Sequence, residues 1–465
     1  MTTDQKRPEE ADWLNLRIIG HAIDSSPITR PILYVIILAA LAALFDATES
    51  FLMGFALPGV AKEFELRPEM MGSFGAAYMY GNFMGSIGWG WIADKCGRKV
   101  AFTVTILCFS ILSGLCGLAT GVIFLVSLRF AIGVFLGGAV PVDAAILSEF
   151  SPARIRGYAN GMLPITWPLA TMLTSVIAML ILPNYGWRGL FVVGCLPAFL
   201  LFWVLRWVPE SPRWLVNQGR FKEARRALRQ IEIDDAALER SREATKNERP
   251  APKLPSGRFR DLFAGGQTVK TVHVWLLWLL AQMAAVGMSF WMPQLFVRIA
   301  GLSIHEAVGY MFYIAFFTGA GRLTVVLLSE KVGRKPFIVL GFCGAALPLL
   351  SLIWASEPTE LFWSFAFFGF FGDMGMCAAT IYVPEVFPMR IRTLGISTAM
   401  GIGRIGGGTG SALIGIFLGA GMATELWVYL AGACLIAGIL TIFLGIESKG
   451  KSLEELNEQA APAGK

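Results

Sequence analysis

Seven charged side chains fall inside long apolar stretches of this sequence, and they are the first candidates for chemistry. A charge at the centre of a membrane-spanning helix costs roughly 2.5–3.5 kcal/mol on insertion scales, so it usually serves a function. The seven residues are Asp46, Glu49, Arg129, Asp143, Arg322, Asp373 and Arg404. Such residues mark substrate and proton pathways, and their positions along the chain predict which of them meet.

Asp46 and Glu49 lie three positions apart near the middle of the first apolar stretch. Residues at this spacing share one face of a helix, and two buried neighbouring carboxyl groups favour a proton on one of them. We therefore predict that Asp46 or Glu49 carries a proton. The alternative is a static ion pair between the first span and a cation of the fourth.

Arg404 and Asp373 are predicted to lie at the same depth. Arg404 follows Arg392 by 12 residues, and Asp373 precedes Glu385 by 12 (404 − 392 and 385 − 373). That length is about 18 Å of helix, which reaches the midplane of a core roughly 30 Å thick. The Arg404 guanidinium could hold a substrate carboxylate through two hydrogen bonds. Alternatively, Asp373 neutralises Arg404, or holds it until a substrate competes.

Two short motifs occur twice at one offset. The motif Asp-Lys-Cys-Gly-Arg-Lys at 94–99 returns as Glu-Lys-Val-Gly-Arg-Lys at 330–335, and 330 − 94 = 236. The segment 149–156, with one Glu and two Arg, returns at 385–392, and 385 − 149 = 236. One offset for two motifs indicates a duplicated half, which in an apolar chain is typical of transporters.

The repeated motifs combine acids, a turn-forming glycine and cations at predicted helix ends, a set that can tie helices together. We predict that they form a gate that closes and opens during alternating access. Asp143 is expected at the same gate, because it lies six residues, about 9 Å, before Glu149. The alternative is a role in topology and lipid binding alone. The expected pairs are Asp94 with Arg98, Glu149 with Arg154 or Arg156, Glu330 with Arg334, and Glu385 with Arg390 or Arg392.

The composition excludes an ordinary soluble surface, since 55% of the 465 residues are hydrophobic and 15% are charged. Runs of about 20 apolar residues, the length that crosses a bilayer, recur near 32–58, 70–93, 100–119, 121–147, 158–182, 186–208, 272–297, 306–329, 336–355, 360–383, 394–419 and 424–446. We predict an all-α membrane protein with twelve transmembrane helices in two pseudo-symmetric six-helix halves.

Lys and Arg collect in alternate connections, so the positive-inside rule predicts that both termini are cytoplasmic. The large polar connection carries Leu and Ala at helical intervals over 219–242, which predicts one amphipathic helix, and then a Pro-rich stretch at 249–257. The predicted segments are a cytoplasmic N-terminal segment 1–31, a first half 32–208, a cytoplasmic linker 209–270, a second half 271–446 and a cytoplasmic tail 447–465.

Several classes of function are excluded by the same composition. The net charge of +6 reflects the asymmetry of the loops rather than a nucleic-acid footprint. The seven Cys are dispersed without disulfide or metal-ligand spacing, and no lysine-containing phosphate loop is present. We expect a monomer in the inner (plasma) membrane that contacts lipid, binds no nucleic acid, needs no cofactor or metal and is not an enzyme.

The repeated motifs, Arg129-Phe-Ala-Ile-Gly133 and Pro209-Glu-Ser-Pro-Arg-Trp214 together resemble those of the major facilitator superfamily, over nearly the whole chain. Glu447-Ser-Lys-Gly-Lys, after the last span, is similar to a motif of its sugar-porter and organic-ion branch. The resemblance implies the major facilitator fold. Acid–arginine pairs in similar proton-coupled sugar porters imply that Arg129 neighbours Asp46.

Within this branch the chain most resembles bacterial niacin transporters and organic anion transporters. The position of Arg404 carries Arg in those groups and an acid in organic cation transporters, so the resemblance implies an anionic substrate. Aromatic rings could stack on a flat carboxylate, although such rings often only pack or anchor helices. With Gln282, the candidates are Trp167, Phe290, Trp291 and Tyr313.

We therefore predict a secondary transporter that imports a small, aromatic monocarboxylate such as nicotinate together with protons. One alternative is a proton symporter for a sugar or sugar acid, although the seventh span has Gln282 without a second Gln beside it. Another alternative, of a different class, is a membrane sensor on the same fold that no longer transports.

Overall fold

All regular secondary structure in the part of the chain that the structure describes is helical. The computed structural model describes residues 15–246, 257–447 and 449. Most of the predicted tail and of the Pro-rich stretch lies outside these residues. The first half contains α1 (Leu16–Asp24), α2 (Arg30–Glu63), α3 (Pro68–Cys96), α4 (Arg98–Gly117), α5 (Val122–Phe150), α6 (Ala153–Val193) and α7 (Pro197–Trp207).

The connection and the second half continue the helical pattern. The connection contains α8 (Pro212–Asn217), α9 (Phe221–Gln230), α10 (Asp235–Thr245) and a short 3-10 helix (Phe259–Leu262). The second half contains α11 (Thr268–Ile299), α12 (Ile304–Val332), α13 (Arg334–Ser351), α14 (Pro358–Val386), α15 (Arg392–Gly419) and α16 (Ala423–Leu444).

The described chain supplies twelve membrane crossings. Nine helical stretches are long and apolar enough to span a bilayer. One of them, Ala153–Trp207, has 55 residues and holds two crossings, with a non-helical break at Gly186. The long helices α3 and α15 complete the set, because 9 + 1 + 2 = 12. Both are rich in glycine, which adds little hydropathy. The predicted all-α membrane architecture is confirmed.

The outside of the bundle is apolar. Large side chains such as Ile87, Trp91, Phe202 and Phe443 are mostly exposed. A soluble protein rarely leaves so much continuous apolar surface in water. In a membrane the same side chains face lipid, while the helices satisfy their own backbone hydrogen bonds.

The repeated turns lie at one end of the bundle, which we call the motif face. Gly97 and Gly333 have φ values of 109° and 110°, a region that favours glycine because it lacks a Cβ. The other end, which holds the turns 64–67 and 300–303, is called the opposite face.

The two halves pack closely towards the opposite face, where small residues let helices of different halves approach. A Cβ on Gly72 of α3 would lie 2.7 Å from the backbone oxygen of Ser411 in α15. A Cβ on Gly75 would lie 2.2 Å from the Ser411 hydroxyl, and one on Gly54 would lie 3.0 Å from the backbone oxygen of Phe290. Larger residues at these positions would force the halves apart.

The single amphipathic helix predicted over 219–242 is wrong, because two helices occupy this region. A turn between α9 and α10 contains Glu232 with a positive φ of 64°. Both helices bury their apolar face, which includes Leu228 and Leu238. Helix α1 docks on this connection, where Nδ1 of His21 lies 3.1 Å from the Ser241 hydroxyl.

Candidate functional site

The motif face of the first half contains a network centred on Arg98. The guanidinium donates to Asp94 at 2.6 Å, and its Nε lies 3.6 Å from Glu149. The carboxylate of Glu210 accepts from the backbone N–H groups of Arg98 and Lys99 at 2.8 and 3.1 Å. A Cβ on Gly97 would lie 2.2 Å from this carboxylate. Glycine is therefore required both for the positive φ and for the space that the carboxylate occupies.

The second half repeats the network around Arg334. Its Nη2 lies 2.6 Å from Glu330 and 3.0 Å from Glu385. The carboxylate of Glu447 accepts from the backbone N–H groups of Arg334 and Lys335 at 3.1 and 3.2 Å. Sequence reasoning did not assign a contact to Glu210 or Glu447. The available signal was that each begins a Glu-Ser pair just after the last helix of its half.

The expected pairs Asp94–Arg98 and Glu330–Arg334 are confirmed as contacts. The pairs expected for Glu149 and Glu385 are wrong. Glu149 contacts Arg98 and the Ser211 hydroxyl rather than Arg154 or Arg156. Arg156 instead donates to Asp24 of α1, and Arg154 is exposed. The turn between α5 and α6 directs these cations away from the acid that precedes it.

The same correction applies to the second half. Glu385 contacts Arg334 and not Arg390 or Arg392. Arg390 donates to Asp261 of the connection at 2.7 Å, and Nε of Arg392 donates to the backbone oxygen of Phe387. In both halves the acid at the end of one helix binds the arginine that follows the repeated glycine.

A fully buried ion pair joins α2 to α5. Nη1 of Arg129 donates to Glu49 at 2.6 Å, and the side chains are 0% and 1% exposed. Ser113 of α4 donates to the second carboxylate oxygen at 2.7 Å. The predicted contact of Arg129 with Asp46 is wrong, because Asp46 lies three residues, about 4.5 Å, nearer the motif face.

Two further residues shape this pair. The guanidinium of Arg129 lies over the rings of Tyr78 and Phe191, with centroid distances of 5.2 and 5.8 Å. A Cβ on Gly194, where α6 ends, would lie 2.1 Å from the Ser113 hydroxyl and 3.0 Å from the Glu49 carboxylate. Only glycine therefore permits this helix end to approach the pair.

The prediction that Asp143 lies with the gate residues is wrong. Asp143 lies beside Asp46 inside the first half. The two carboxyl groups are within hydrogen-bonding reach of each other. Asp46 is 6% exposed and Asp143 is 1% exposed. A distance along α5 does not reveal which neighbouring helix a side chain faces, and Asp143 faces Asp46 of α2.

Arg404 lies near the middle of α15 and is half-buried. Within the described chain it has no ion pair and no hydrogen-bond acceptor. Gln282 of α11 packs against the preceding residue of this helix, since a Cβ on Gly403 would lie 3.0 Å from Cγ of Gln282. Tyr78 of the first half lies within electrostatic range of Arg404 across the boundary between the halves. Arg404 is therefore a membrane cation free to receive an anion.

One alternative expected Asp373 to pair with Arg404. This alternative is wrong, because Asp373 binds Arg322. Nε of Arg322 donates to Asp373 at 2.6 Å, and its Nη1 donates to the backbone oxygen of Pro164 at 2.8 Å. In an unbroken helix this oxygen would accept from the N–H four residues later. That residue is Pro168, which has no N–H, so the oxygen is free for an arginine of the other half.

Replacing Arg322 with Gln is expected to loosen the contact between α6 and α12. The variant loses the charged hydrogen bond to Pro164, worth roughly 1–3 kcal/mol, which shifts a two-state equilibrium by about 5- to 150-fold. The test uses spin labels attached at Tyr158→Cys and Leu327→Cys in a protein without native cysteines. We expect the distribution of distances between the two labels, measured by electron spin resonance, to gain a second population. Arg322→Lys, which keeps the charge, should shift less. An unchanged distance distribution in the Gln variant would remove this role from Arg322.

The predicted aromatic residues divide into two groups. Trp291 is fully buried and its indole donates to the backbone oxygen of Ser411 at 3.1 Å, while Phe290 packs against α2 and α3. The prediction that these two rings line the substrate cavity is wrong, because they hold the halves together. Trp167 is half-buried with its ring edge-to-face on Phe51 at 5.6 Å, and Tyr313 is exposed. Only the latter two leave a ring accessible.

Comparisons with known proteins agree with this architecture. The family description "Sugar (and other) transporter" matches residues 42–460. The niacin transporter NiaP of Acinetobacter baylyi is 27% identical over 93% of this chain and 98% of its own. A cis,cis-muconate transport protein of the same organism is 25% identical over 86% and 91%. The inward open xylose transporter XylE from E. coli has a TM-score of 0.74 at 18% identity, over 92% of this chain and 99% of that one.

Proposed function

Because the chain belongs to the sugar (and other) transporter family of the major facilitator superfamily, a family of membrane transporters rather than enzymes, we propose that it imports a small aromatic monocarboxylate together with protons. Nicotinate is the representative substrate. The transport cycle is alternating access between the two halves. Import is thus driven by the proton gradient rather than by a nucleotide.

The observation that carries the anionic substrate is the unpaired guanidinium of Arg404. A cation within the membrane is expensive unless an anion neutralises it. The described residues supply no such anion, and Asp373 is occupied by Arg322. A substrate carboxylate would complete the pair through two parallel hydrogen bonds, a geometry that suits the planar guanidinium.

The remainder of the substrate site is proposed from the accessible side chains. Gln282 lies next to the Arg404 helix and has no hydrogen-bond partner in the described chain, so its amide is available to a heterocyclic nitrogen. The rings of Trp167 and Tyr313 can stack on a flat substrate. The niacin transporter relative supports nicotinate, and the muconate transport protein supports a carboxylate more generally.

Proton coupling is proposed for the buried charged region of the first half. Asp46, Glu49 and Arg129 form a charged region inside the first half, separated from Arg404 by Tyr78. Tyr78 lies near both regions, since its ring lies under Arg129 and Arg404 is within electrostatic range of it. This position supports communication between the proton and substrate sites.

The gate is proposed at the motif face, which the positive-inside rule assigns to the cytoplasm together with both termini of an inner-membrane protein. The ion pairs there tie helices within each half, and the tight packing of the halves lies at the opposite face. Both features support a state that is closed to the outside. The proposed gate residues are Asp94, Arg98, Glu149, Arg154, Arg156, Glu330, Arg334, Glu385, Arg390 and Arg392.

Uptake of labelled nicotinate into proteoliposomes tests this function. We expect accumulation when the outside is more acidic than the inside, and collapse of accumulation when a protonophore is added. Absence of uptake would contradict the substrate, and uptake indifferent to the gradient would contradict proton coupling. Inhibition by gluconate or glucose but not by benzoate would favour the sugar or sugar-acid alternative. Specific binding without any transport would favour the sensor.

A further inference from the structure

We propose that Asp46 and Asp143 together form the proton-binding site, and that the Glu49–Arg129 ion pair is a separate structural element. This inference rests on the proposed proton-coupled transport and names the residues that hold the proton. It assigns to Asp143 a role that its position near the end of α5 does not suggest.

The geometry requires a proton between the two groups. Both side chains are buried, and they are within hydrogen-bonding reach of each other. Oδ1 of Asp46 and both carboxyl oxygens of Asp143 are buried without a hydrogen-bond donor from the described residues. Carboxylates only accept hydrogen bonds, so two of them in contact need a proton to act as donor. Without it, two adjacent negative charges would remain in a low-dielectric interior.

The surrounding charges do not relieve this requirement. On the same helix as Asp46, Glu49 adds a further negative charge. Arg129 of α5 is already bound to Glu49, and Tyr78 of α3 is bound to Ser50. In the part of the chain that the structure describes, neither aspartate forms an ion pair with Lys, Arg or His. The Asp46–Asp143 pair therefore lacks the cation that neutralises Glu49.

Two protonation states follow for the pair. With one shared proton it carries a single negative charge, and with two protons it is neutral. The second proton arrives from the opposite face together with the substrate anion and leaves towards the motif face, so the number of protons is conserved in each cycle.

The first test is transport by Asp143→Asn and Asp46→Asn in proteoliposomes with labelled nicotinate. Either variant is expected to keep exchange of substrate across the membrane and to lose gradient-driven accumulation. A pH difference of one unit supplies about a tenfold concentration ratio per proton, so the loss is at least about tenfold. Asp235→Asn, the same chemical change in the connection, should accumulate substrate like the unaltered protein. Accumulation by Asp143→Asn equal to that of the unaltered protein would overturn the proposal.

The second test reads the proton directly and does not depend on transport. Infrared difference spectra of the purified full-length protein, recorded as the pH is raised, should show loss of a protonated-carboxyl band that shifts in heavy water. We expect this band to be absent in Asp46→Asn and in Asp143→Asn but present in Glu49→Gln. A band that survives in Asp143→Asn and disappears in Glu49→Gln would place the proton on Glu49 instead. Asp143→Glu should retain the band, which provides a measurement if the Asn variant does not fold.

The two tests separate the failure of this inference from failure of the proposed function. If the unaltered protein does not take up nicotinate but the infrared band follows the two aspartates, the substrate is wrong and the proton pair stands. If nicotinate is accumulated with protons but the band does not follow these residues, the function stands and the pair is overturned.

Discussion

Arg404→Ala should lower the affinity for nicotinate by roughly 100-fold or more. A hydrogen bond between charged groups is worth about 1.5–3 kcal/mol, and two parallel ones are lost together. About 1.4 kcal/mol corresponds to a tenfold change in affinity. Binding to detergent-solubilised protein by calorimetry, and uptake at a fixed pH gradient, measure the two consequences separately.

Controls distinguish charge, geometry and general damage at Arg404. Arg404→Lys keeps the positive charge but cannot form the planar fork, so an intermediate affinity is expected. Arg240→Ala, the same change on an exposed helix of the connection, should bind nicotinate like the unaltered protein. Retention of full affinity by Arg404→Ala would show that the carboxylate binds elsewhere and that the arginine packs between helices.

Arg129→Gln should destabilise the first half by about 3–5 kcal/mol, because removal of one partner strands a buried charge. Glu49 would then keep only the Ser113 hydroxyl as a donor. Glu49→Gln should cost less, since Tyr78 and Phe191 still present their faces to the arginine. Thermal or chaotrope unfolding curves, recorded in detergent, measure the loss of stability in the two variants.

The double variant Glu49→Gln/Arg129→Gln tests whether the pair is purely structural. Without either charge the buried site needs only neutral hydrogen bonds, so most of the lost stability should return. If Asp46 and Asp143 hold the proton, this variant should still accumulate substrate in response to a gradient. A stable double variant that has lost accumulation would return the proton to the ion pair.

Contacts between residues close in sequence were predictable from the sequence. Asp94 with Arg98, and Glu330 with Arg334, are separated by four residues and one glycine turn, so local backbone geometry brings them together. The duplication doubled the evidence for each of these contacts, because one offset joins both motifs. Glu210 and Glu447 escaped prediction because each reaches the turn from a helix end far away in sequence.

Partners of the charges within the membrane were not predictable in the same way. A rise of 1.5 Å per residue converts a sequence position into a distance along a helix. It does not give the tilt of the helix or the direction in which the side chain leaves the axis. This explains why Arg129 contacts Glu49 rather than Asp46, and why Asp143 is not at the gate.

By itself, the sequence determined that this protein is a duplicated membrane bundle, since apolar length and a repeated offset require no knowledge of packing. It also determined which few charges enter the membrane, because a charge among apolar residues is visible in one dimension. The tertiary structure alone decided that Arg322 neutralises Asp373 and leaves Arg404 open to an anion. The physical reason is that pairing depends on how helices rotate and tilt against one another, and only the three-dimensional packing of the helices sets both.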